Sequence, residues 1–116
     1  MDNSGVPNLP TALLDRFAAG ELIAAIAQDA VSKEVLMMAW MSEESLNLTL
    51  KTKRATYWSR SRNSLWIKGE SSGHFQEVIS LAYDCDGDCI LLQVNQTGAA
   101  CHTGERTCFH SEISMA

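Results

Sequence analysis

Two blocks of apolar residues, Leu22–Ala27 and Val35–Met41, stand out near the start of the chain. A short polar segment separates them, so the pattern predicts a hairpin of two buried strands. Before the first block, the apolar spacing over 13–17 predicts a short helix that ends at Gly20. Residues 1–10 are polar and hold both prolines of the chain, which predicts a loose N-terminal arm.

The clearest helix signal begins at Ser42, a natural N-cap residue. Glu43–Glu44 follow in the first turn, where the helix dipole favours acidic side chains. Leu46 and Leu50 lie one turn apart, as on the apolar face of a helix. Ser45 stands where a full capping box has Glu or Gln, so only a simple N-cap is expected.

After this helix the hydrophobic period changes from 3.6 to 2, which is typical of strands. Four strand candidates follow: Ala55–Ser61, Ser64–Gly69, Glu77–Tyr83 and Cys89–Asn95. The chain has 116 residues and shows no repeat or linker. We therefore expect a single domain over residues 1–116, of the α+β class, rich in β-structure and with one main helix.

Composition narrows the class of protein. Hydrophobic residues make up 46% and charged residues 20% of the chain, as in a soluble globular domain. No apolar stretch approaches the ~20 residues of a membrane span, and residues 1–5 do not resemble a secretory signal. We expect a cytoplasmic protein without a membrane role. The net charge of −5 disfavours nucleic acid as a partner.

The positive charge is concentrated in one stretch, which favours a small phosphorylated ligand over a polymer. Its basic residues are Lys51, Lys53, Arg54, Arg60, Arg62 and Lys68. Strand alternation over 57–62 would place Trp58, Arg60 and Arg62 on one face, opposite Ser59 and Ser61. Arginines beside an aromatic ring suit phosphate binding and base stacking. The alternative is a solvated strand face with Trp58 in the core.

Further donors follow this stretch. Lys68 and the loop residues Ser72, Gly73 and His74 offer groups suited to phosphate oxygens. We predict that they complete a substrate-binding surface with the residues of the preceding strand.

Carboxylates alternate with thiols or glycine between Tyr83 and Ile90. In an extended segment, Asp84, Asp86 and Asp88 would face one side, with Cys85 and Cys89 on the other. Crowded carboxylates repel unless a cation neutralises them, and hard oxygen ligands select Mg²⁺ or Ca²⁺. An EF-hand calcium loop is excluded because the positions that need Gly and Glu hold cysteine and asparagine. A polar turn between two strands is the simpler alternative.

All four cysteines lie in the last third of the chain, and without a secretory signal metal binding or redox chemistry is favoured over disulfides. Cys101 and Cys108 offer soft ligands for zinc, and Cys85 would be the third. Three thiolates leave the fourth tetrahedral position open to water, as in catalytic zinc sites. Were Cys89 the fourth ligand, the site would be closed and structural. Buried, inert cysteines are the remaining alternative.

Two histidines follow the first of these cysteines at different distances. His102 is adjacent to Cys101, and an imidazole can both accept and donate a proton, which suits proton transfer. We predict it as the catalytic residue. His110 has no such neighbour in the sequence and is interpreted as structural.

Together, these segments resemble the phosphoribosyl-AMP cyclohydrolase family. The resemblance spans about 22–109, and each of its segments is weak alone while the ordered set is specific. The matching segments are Val35–Met41, Trp58–Arg62, Leu65–Glu70, Ser72–His74, Asp84–Asp88, and Cys101–Gly104 with Cys108. Two positions depart from the family pattern, since Cys89 replaces a small apolar residue and Glu105 stands where a basic residue is frequent.

The resemblance implies an intertwined homodimer with active sites at the subunit boundary. The implied zinc ligands are Cys101 and Cys108 of one chain and Cys85 of the other. The implied magnesium ligands are Asp84, Asp86 and Asp88. The substrate would be 1-(5-phosphoribosyl)-AMP, whose adenine ring is opened between N1 and C6 by a zinc-activated water in histidine biosynthesis.

Two other functions stay open on the sequence alone. Another zinc-dependent purine hydrolase, such as a deaminase, would attack the same ring carbon. The usual deaminase pattern, His-x-Glu followed by a Cys-x2-Cys pair, does not occur here. A non-catalytic, zinc-stapled binding module would instead need Cys89 as a fourth ligand.

Overall fold

The computed structural model describes residues 9–115, so residues 1–8 of the predicted arm lie outside the described range. Leu9 packs against the hydrophobic core, and Pro10 immediately precedes the first helix. The elements are α1 (Thr11–Ala18), β1 (Ile23–Asp29), β2 (Val35–Met41), α2 (Glu43–Thr52), β3 (Thr56–Ser59), β4 (Ser64–Ile67), β5 (Gln76–Tyr83) and β6 (Cys89–Gln96). Neither helix within this range has the length and apolar character needed to cross a membrane.

The six strands form one sheet in the order β4-β3-β2-β1-β6-β5. Strand β1 pairs in parallel with β6, and all other neighbours are antiparallel. The sheet curls because β5 also bonds to the segment before β3. Ala55 N donates to the Gln76 carbonyl over 3.0 Å, and Val78 N donates to the Lys53 carbonyl over 2.8 Å. The result is a curled half-barrel with two helices, which confirms the predicted α+β class.

The two apolar blocks form the predicted hairpin, β1 with β2. On β1 every second residue is buried, beginning at Ile23. The parallel neighbour β6 buries Ile90, Leu92 and Val94 in the same alternation. Leu46 of α2 joins the same hydrophobic cluster, as its spacing in the sequence predicts.

Helix α2 begins directly after Ser42, the predicted N-cap. Ser45 N donates to Ser42 Oγ over 3.1 Å, and Ser42 N donates back to Ser45 Oγ over 2.9 Å. The capping box is therefore complete, and the expectation of a simple N-cap is wrong. A serine hydroxyl at this position reaches the backbone donor that Glu or Gln usually takes.

A buried polar chain links strands from distant parts of the sheet. Tyr57 Oη donates to Gln76 Oε1 over 2.7 Å, and Gln76 Nε2 donates to Gln96 Oε1 over 2.8 Å. Tyr57 and Gln76 expose no surface, and burial raises the pKa of the Tyr57 phenol well above its usual range. These bonds hold β3, β5 and β6 in the curled arrangement.

The β3–β4 connection differs from the predicted strand. Strand β3 ends at Ser59, and residues 60–63 form a turn. Arg62 N donates to Ser59 Oγ over 3.2 Å, which closes the turn locally. Strand alternation stops before Arg60, so the prediction of one strand face shared by Trp58 and both arginines is wrong.

Candidate functional site

A cavity of about 330 Å³ lies between the β4–β5 connection and the loop that follows β6. Its lining combines cationic, hydroxyl, imidazole and thiol side chains. The predicted site residues that line it are Arg62, Lys68, Ser72, His74, Cys101 and His102. The fold therefore brings part of the predicted phosphate-binding stretch to one predicted zinc ligand and to the predicted catalytic histidine.

The loop after β6, residues 100–108, carries two cysteines and is called the cysteine loop below. It folds back on itself, since Ala100 N donates to the Arg106 carbonyl over 3.1 Å and Cys101 N to the Glu105 carbonyl over 3.2 Å. Gly104 turns the chain with a φ of 94°, in the left-handed region that favours glycine. This hairpin-like path brings the two ends of the loop together.

The cysteine loop has a first arm around Cys101 and a second arm around Cys108. The second arm is hydrogen-bonded to the start of β2. Cys108 N donates to the Leu36 carbonyl over 2.7 Å. Thr107 Oγ1 donates to the Val35 carbonyl over 2.8 Å. The position of the Cys108 backbone is thus set by the edge of the central sheet.

Lys68 reaches the first arm of the cysteine loop from the β4–β5 connection. Its Nζ donates to the carbonyl oxygen of Ala100 and lies 5.8 Å from the centroid of the Trp66 ring. An ammonium group has further donors. Lys68 can therefore hold the loop and still offer a donor to a phosphate oxygen in the cavity.

His74 is placed in the cavity by two glycines. A Cβ on Gly69 would lie 2.5 Å from the backbone carbonyl carbon of His74, and Gly69 has a φ of 90°. A Cβ on Gly98 would lie 2.7 Å from the His74 ring. Ser72 Oγ accepts a hydrogen bond from His74 N over 3.1 Å. The imidazole can occupy this place because both neighbouring positions lack a side chain.

The two thiols of the cysteine loop differ in acidity. Cys101 is buried, and its sulfur accepts a hydrogen bond from Thr103 Oγ1 over 3.0 Å. This bond, aided by the Thr103 amide, His110 and Cys108, lowers the pKa of Cys101 to about 6. Partial desolvation and the nearby charge of Cys101 raise the pKa of Cys108. Near neutral pH the pair holds one thiolate, which is the form that binds metal.

The histidines around Cys101 are placed differently from the sequence interpretation. His110 Nε2 lies 3.7 Å from Cys101 Sγ. His102 is exposed and lines the cavity. His110 has no adjacent cysteine in the sequence, but the tail after Cys108 brings its imidazole back to Cys101, and its interpretation as structural stays a prediction. The catalytic role of His102 stays a prediction.

The three predicted magnesium ligands cluster in the β5–β6 turn. Carboxylate oxygens of Asp84, Asp86 and Asp88 all lie within 4.8 Å of one another, and the three residues are exposed. The segment is a turn, since Asp84 Oδ1 accepts from Asp88 N over 2.8 Å and from Cys89 N over 3.2 Å. The predicted extended alternation is wrong, although the carboxylates do meet.

The β5–β6 turn with Asp84, Asp86 and Asp88, called the acidic turn below, concentrates negative charge. Hydrogen bonds from Asp88 lower the pKa of Asp84, whereas the bond with Asp84 and its charge raise the pKa of Asp88. Arg16 of α1 donates to the Asp86 carbonyl over 3.0 Å, which ties the turn to the helix. A cluster of carboxylates in which one competes for a proton is suited to a divalent cation.

Other predicted binding residues lie outside this cavity. Arg60 stacks over the Trp40 ring at 4.6 Å from its centroid, so its aromatic partner is not Trp58. Trp58 is half-buried and pairs across the sheet with Trp40. The predicted residues that do not line the cavity are Trp58, Ser59, Arg60, Ser61 and Gly73.

The family model described as phosphoribosyl-AMP cyclohydrolase matches residues 37–110, which include the acidic turn and the cysteine loop. A phosphoribosyl-AMP cyclohydrolase of Hyphomonas neptunium is 61% identical over 101 residues, which cover 87% of this chain and 77% of the relative. The chain belongs to the phosphoribosyl-AMP cyclohydrolase family.

Other phosphoribosyl-AMP cyclohydrolases are similarly close to the chain. The protein of Dinoroseobacter shibae is 64% identical over 92 residues, which cover 79% of this chain and 77% of the relative. The protein of Streptomyces coelicolor is 52% identical over 118 aligned positions, which cover 97% of this chain and 92% of the relative. The resemblance stated from the sequence is confirmed, and the chain is an enzyme of the hydrolase class with a role in histidine biosynthesis.

Within one chain of this cyclohydrolase, the predicted zinc ligand Cys85 lies far from the other two, Cys101 and Cys108. Cys85 lies in the turn before β6, whereas Cys101 follows the end of β6. Strand β6 has 8 residues, and at about 3.3 Å per residue its ends lie more than ~20 Å apart. Cys89 is the first residue of β6, so it lies at the same distant end as Cys85. Only Cys101 and Cys108 share one site within a chain.

Three residues that shape the cysteine loop of this cyclohydrolase were not predicted from the sequence: Thr103, Arg106 and Asp29. Thr103 carried a local signal, since it follows Cys101 by two positions and hydroxyls commonly bond to nearby acceptors. Arg106 Nη2 lies 2.6 Å from Asp29 Oδ2. That pair joins residues 77 positions apart, so no local pattern could have shown it.

Proposed function

We propose that the chain hydrolyses 1-(5-phosphoribosyl)-AMP. Water adds at C6 of the adenine ring, the N1–C6 bond breaks, and the exocyclic amine stays on the product as part of a carboxamide. The product is the formimino carboxamide ribotide, and no ammonia is released. The observation that carries this proposal is the cavity in which Cys101 and His102 lie with Arg62 and Lys68. The names of the related proteins support the same substrate.

The donor set of the cysteine loop fits zinc. Two sulfur ligands lie in one loop, and the pKa of Cys101 is held at about 6 by hydrogen bonds, so a soft anionic ligand is present at neutral pH. Cys101 and Cys108 would hold the ion. A bound zinc ion supplies Lewis acidity and lowers the pKa of a water molecule toward neutrality.

The third zinc ligand in this proposal is Cys85 of the partner subunit in a homodimer. The length of β6 keeps Cys85 away from the Cys101–Cys108 pair in its own chain, while its exposed thiol is free to meet a second copy. The edge strand β5 exposes Ile79 and Tyr83, an apolar surface suited to an interface. The active sites would then lie at the subunit boundary.

The residues that line the cavity would bind the substrate and transfer protons. Arg62 and Lys68 hold substrate phosphate oxygens, since both are cationic and line the cavity. Ser72 and His74 add neutral donors beside them. His102 takes a proton from the attacking water and returns one to N1 as the ring opens, because it is exposed to the cavity beside Cys101.

The proposal extends to the residues outside the cavity of one chain. Trp58, Ser59, Arg60, Ser61 and Gly73 stay candidates for binding the substrate on the face that a partner completes. Asp84, Asp86 and Asp88 would hold magnesium, which would neutralise their shared charge. We further propose a cytoplasmic enzyme that acts on a small molecule, without nucleic acid or membrane partners.

A product assay with purified protein tests the reaction. Incubation with phosphoribosyl-AMP, zinc and magnesium should yield a product heavier by one water, without ammonia. Release of ammonia would show a deaminase instead. His102→Gln should lower kcat by about 10²-fold or more with unchanged zinc content. The neighbouring exposed Glu105→Gln serves as the matched control and should retain activity.

A further inference from the structure

Arg106 of the cysteine loop is ion-paired to the hairpin formed by β1 and β2. Its Nη2 lies 2.6 Å from Asp29 Oδ2, and its Nε lies 3.2 Å from Glu34 Oε1. Arg106 also precedes Cys108 by two positions. A charged contact therefore runs from the β1–β2 turn to the loop that carries both proposed zinc ligands.

Asp29 is a fixed anchor for this contact. It is only 8% exposed, and its Oδ1 accepts hydrogen bonds from Val31 N over 2.8 Å and Ser32 N over 2.9 Å. Its own backbone amide donates to the Glu34 carbonyl over 2.8 Å. Because one carboxylate oxygen is used to shape the turn, the other is aimed at Arg106 with little freedom.

The backbone of Arg106 passes this constraint to both arms of the loop. Its carbonyl accepts from Ala100 N over 3.1 Å, directly before Cys101. The next two residues, Thr107 and Cys108, bond to the start of β2. A displaced Arg106 would therefore disturb the positions of Cys101 and Cys108 together.

The other ion pair of the described residues provides a contrast. Arg16 and Glu21 are separated by 5 positions and join α1 to the segment that follows it. Within residues 9–115, it is the ion pairs of Arg106 that connect parts of the chain distant in sequence. The Arg106 guanidinium contacts two carboxylates, those of Asp29 and Glu34, through charge-assisted hydrogen bonds. Two such contacts fix the orientation of the Arg106 side chain.

We propose that the Arg106–Asp29 ion pair is a positioning element that orders the cysteine loop, so that Cys101 and Cys108 are presented together before a metal ion binds. The identity of that ion as zinc rests on the proposed function. A loop ordered in advance loses less conformational entropy when the ion arrives, so its affinity for the ion is higher. Residues that support metal ligands from behind typically contribute about 10–100-fold in affinity.

Variants of the full chain can separate this role from general stability. Asp29→Asn keeps an oxygen that accepts from Val31 and Ser32 and removes the charge that faces Arg106. Arg106→Gln removes the other partner, and Arg106→Lys restores the charge without the fork. Glu21→Gln is the matched control, because it breaks an ion pair without a bond to the cysteine loop.

Two measurements are made on each variant well below its unfolding temperature. The first is the zinc dissociation constant, from competition with a chromophoric chelator. The second is hydrogen exchange at the Cys101 and Cys108 amides of the metal-free protein. Asp29→Asn and Arg106→Gln should weaken zinc binding about 10–100-fold and speed both exchange rates. Arg106→Lys should recover part of the loss, and Glu21→Gln should match wild type.

Wild-type zinc affinity and exchange in Asp29→Asn and Arg106→Gln would overturn the proposal, even if their thermal midpoints fell. An equal loss in Glu21→Gln would overturn it as well, because the effect would then be general. If either variant does not fold, Glu34→Gln removes the negative charge from the longer ion pair and should give a smaller loss in the same direction. A wild-type protein that binds no zinc would contradict the proposed function, and amide exchange alone would then decide whether the ion pair orders the loop.

Discussion

Thr103 Oγ1 donates a hydrogen bond to the sulfur of Cys101 across 3.0 Å. This contact is the largest cause of the lowered pKa of Cys101, about 6, while the pKa of the Cys108 thiol is raised. The loop therefore holds one thiol that is more acidic than usual, Cys101, beside one that is less acidic than usual, Cys108. Such asymmetry supplies one metal-binding thiolate at neutral pH without a second unneutralised charge.

Removing the Thr103 hydroxyl should make Cys101 a weaker acid. In the metal-free protein, alkylation of Cys101 by iodoacetamide should rise with pH through a midpoint near 6. Thr103→Val should move that midpoint upward, toward the ordinary thiol pKa of 9.0. Peptide mass spectrometry over a pH series measures the rate at this cysteine alone. The exposed Ser111→Ala is the control, and an unmoved midpoint in Thr103→Val would refute the role of the hydroxyl.

The strands and the main helix follow from local features of the sequence. Val35–Met41 is apolar throughout and becomes a strand of the predicted hairpin, and Ser42 caps α2 as predicted. The two wrong predictions of extended strand conformation occur where a short segment of the chain forms a turn. Arg60 and Asp86 lie in turns that side-chain hydrogen bonds close, and such turns interrupt the strand alternation that the predictions assumed.

The candidate site was only partly predictable for a similar reason. Cys101 and His102 are neighbours in the chain, so their shared place at the cavity needed no long-range information. Arg106 and His110 act through contacts that depend on the path of the loop and the tail. The separation of Cys85 from Cys101 depends on the length and direction of β6, which become known only with the sheet topology.

Two inactive variants should complement each other if Cys85 acts across a subunit boundary. Cys85→Ser and Cys101→Ser homodimers would each lack a zinc ligand in every site. In a mixed dimer, one site regains all three thiols, so unfolding and refolding an equal mixture should restore about one quarter of wild-type turnover. Persistent inactivity of a mixture proven to contain mixed dimers would contradict the shared site. Cys101→Ser mixed with Cys108→Ser is the control and should stay inactive, because both losses fall in one loop.

Acid should remove the contribution of the Asp29 ion pair to stability. The bonds from Ser32 and Val31, with the Arg106 charge, lower the pKa of Asp29 from 3.8 to about 2. A depressed carboxyl pKa stabilises the folded state above pH 3.8, and the effect is lost as pH falls toward 2. Urea unfolding from pH 7 to 2 should show that wild type exceeds Asp29→Asn in unfolding free energy at neutral pH. The difference should shrink below pH 4, whereas a constant difference would contradict the assigned pKa; Asp15→Asn is the exposed control.

The buried bond between Tyr57 and Gln76 should contribute to the stability of the curled sheet. Tyr57→Phe keeps the ring and leaves Gln76 Oε1 without its donor in the core. An unsatisfied buried acceptor costs about 1–3 kcal/mol, which denaturant titration at pH 7 can resolve. Ser111→Ala removes a hydroxyl from an exposed position and should change the unfolding free energy by less than about 0.5 kcal/mol. Equal effects of the two variants would argue against the buried network.

Zinc content measured together with phosphoribosyl-AMP turnover in Cys101→Ser and Cys89→Ser tests the central claim most directly. Cys101 lies in the cavity, whereas Cys89 is half-buried at the far end of β6 and its thiol donates to the Ile90 carbonyl over 3.9 Å. The expected result is loss of both zinc and turnover in Cys101→Ser, with both near wild type in Cys89→Ser. Undiminished hydrolysis in Cys101→Ser would contradict the account, and so would loss of zinc in Cys89→Ser, since that would indicate a closed, structural site.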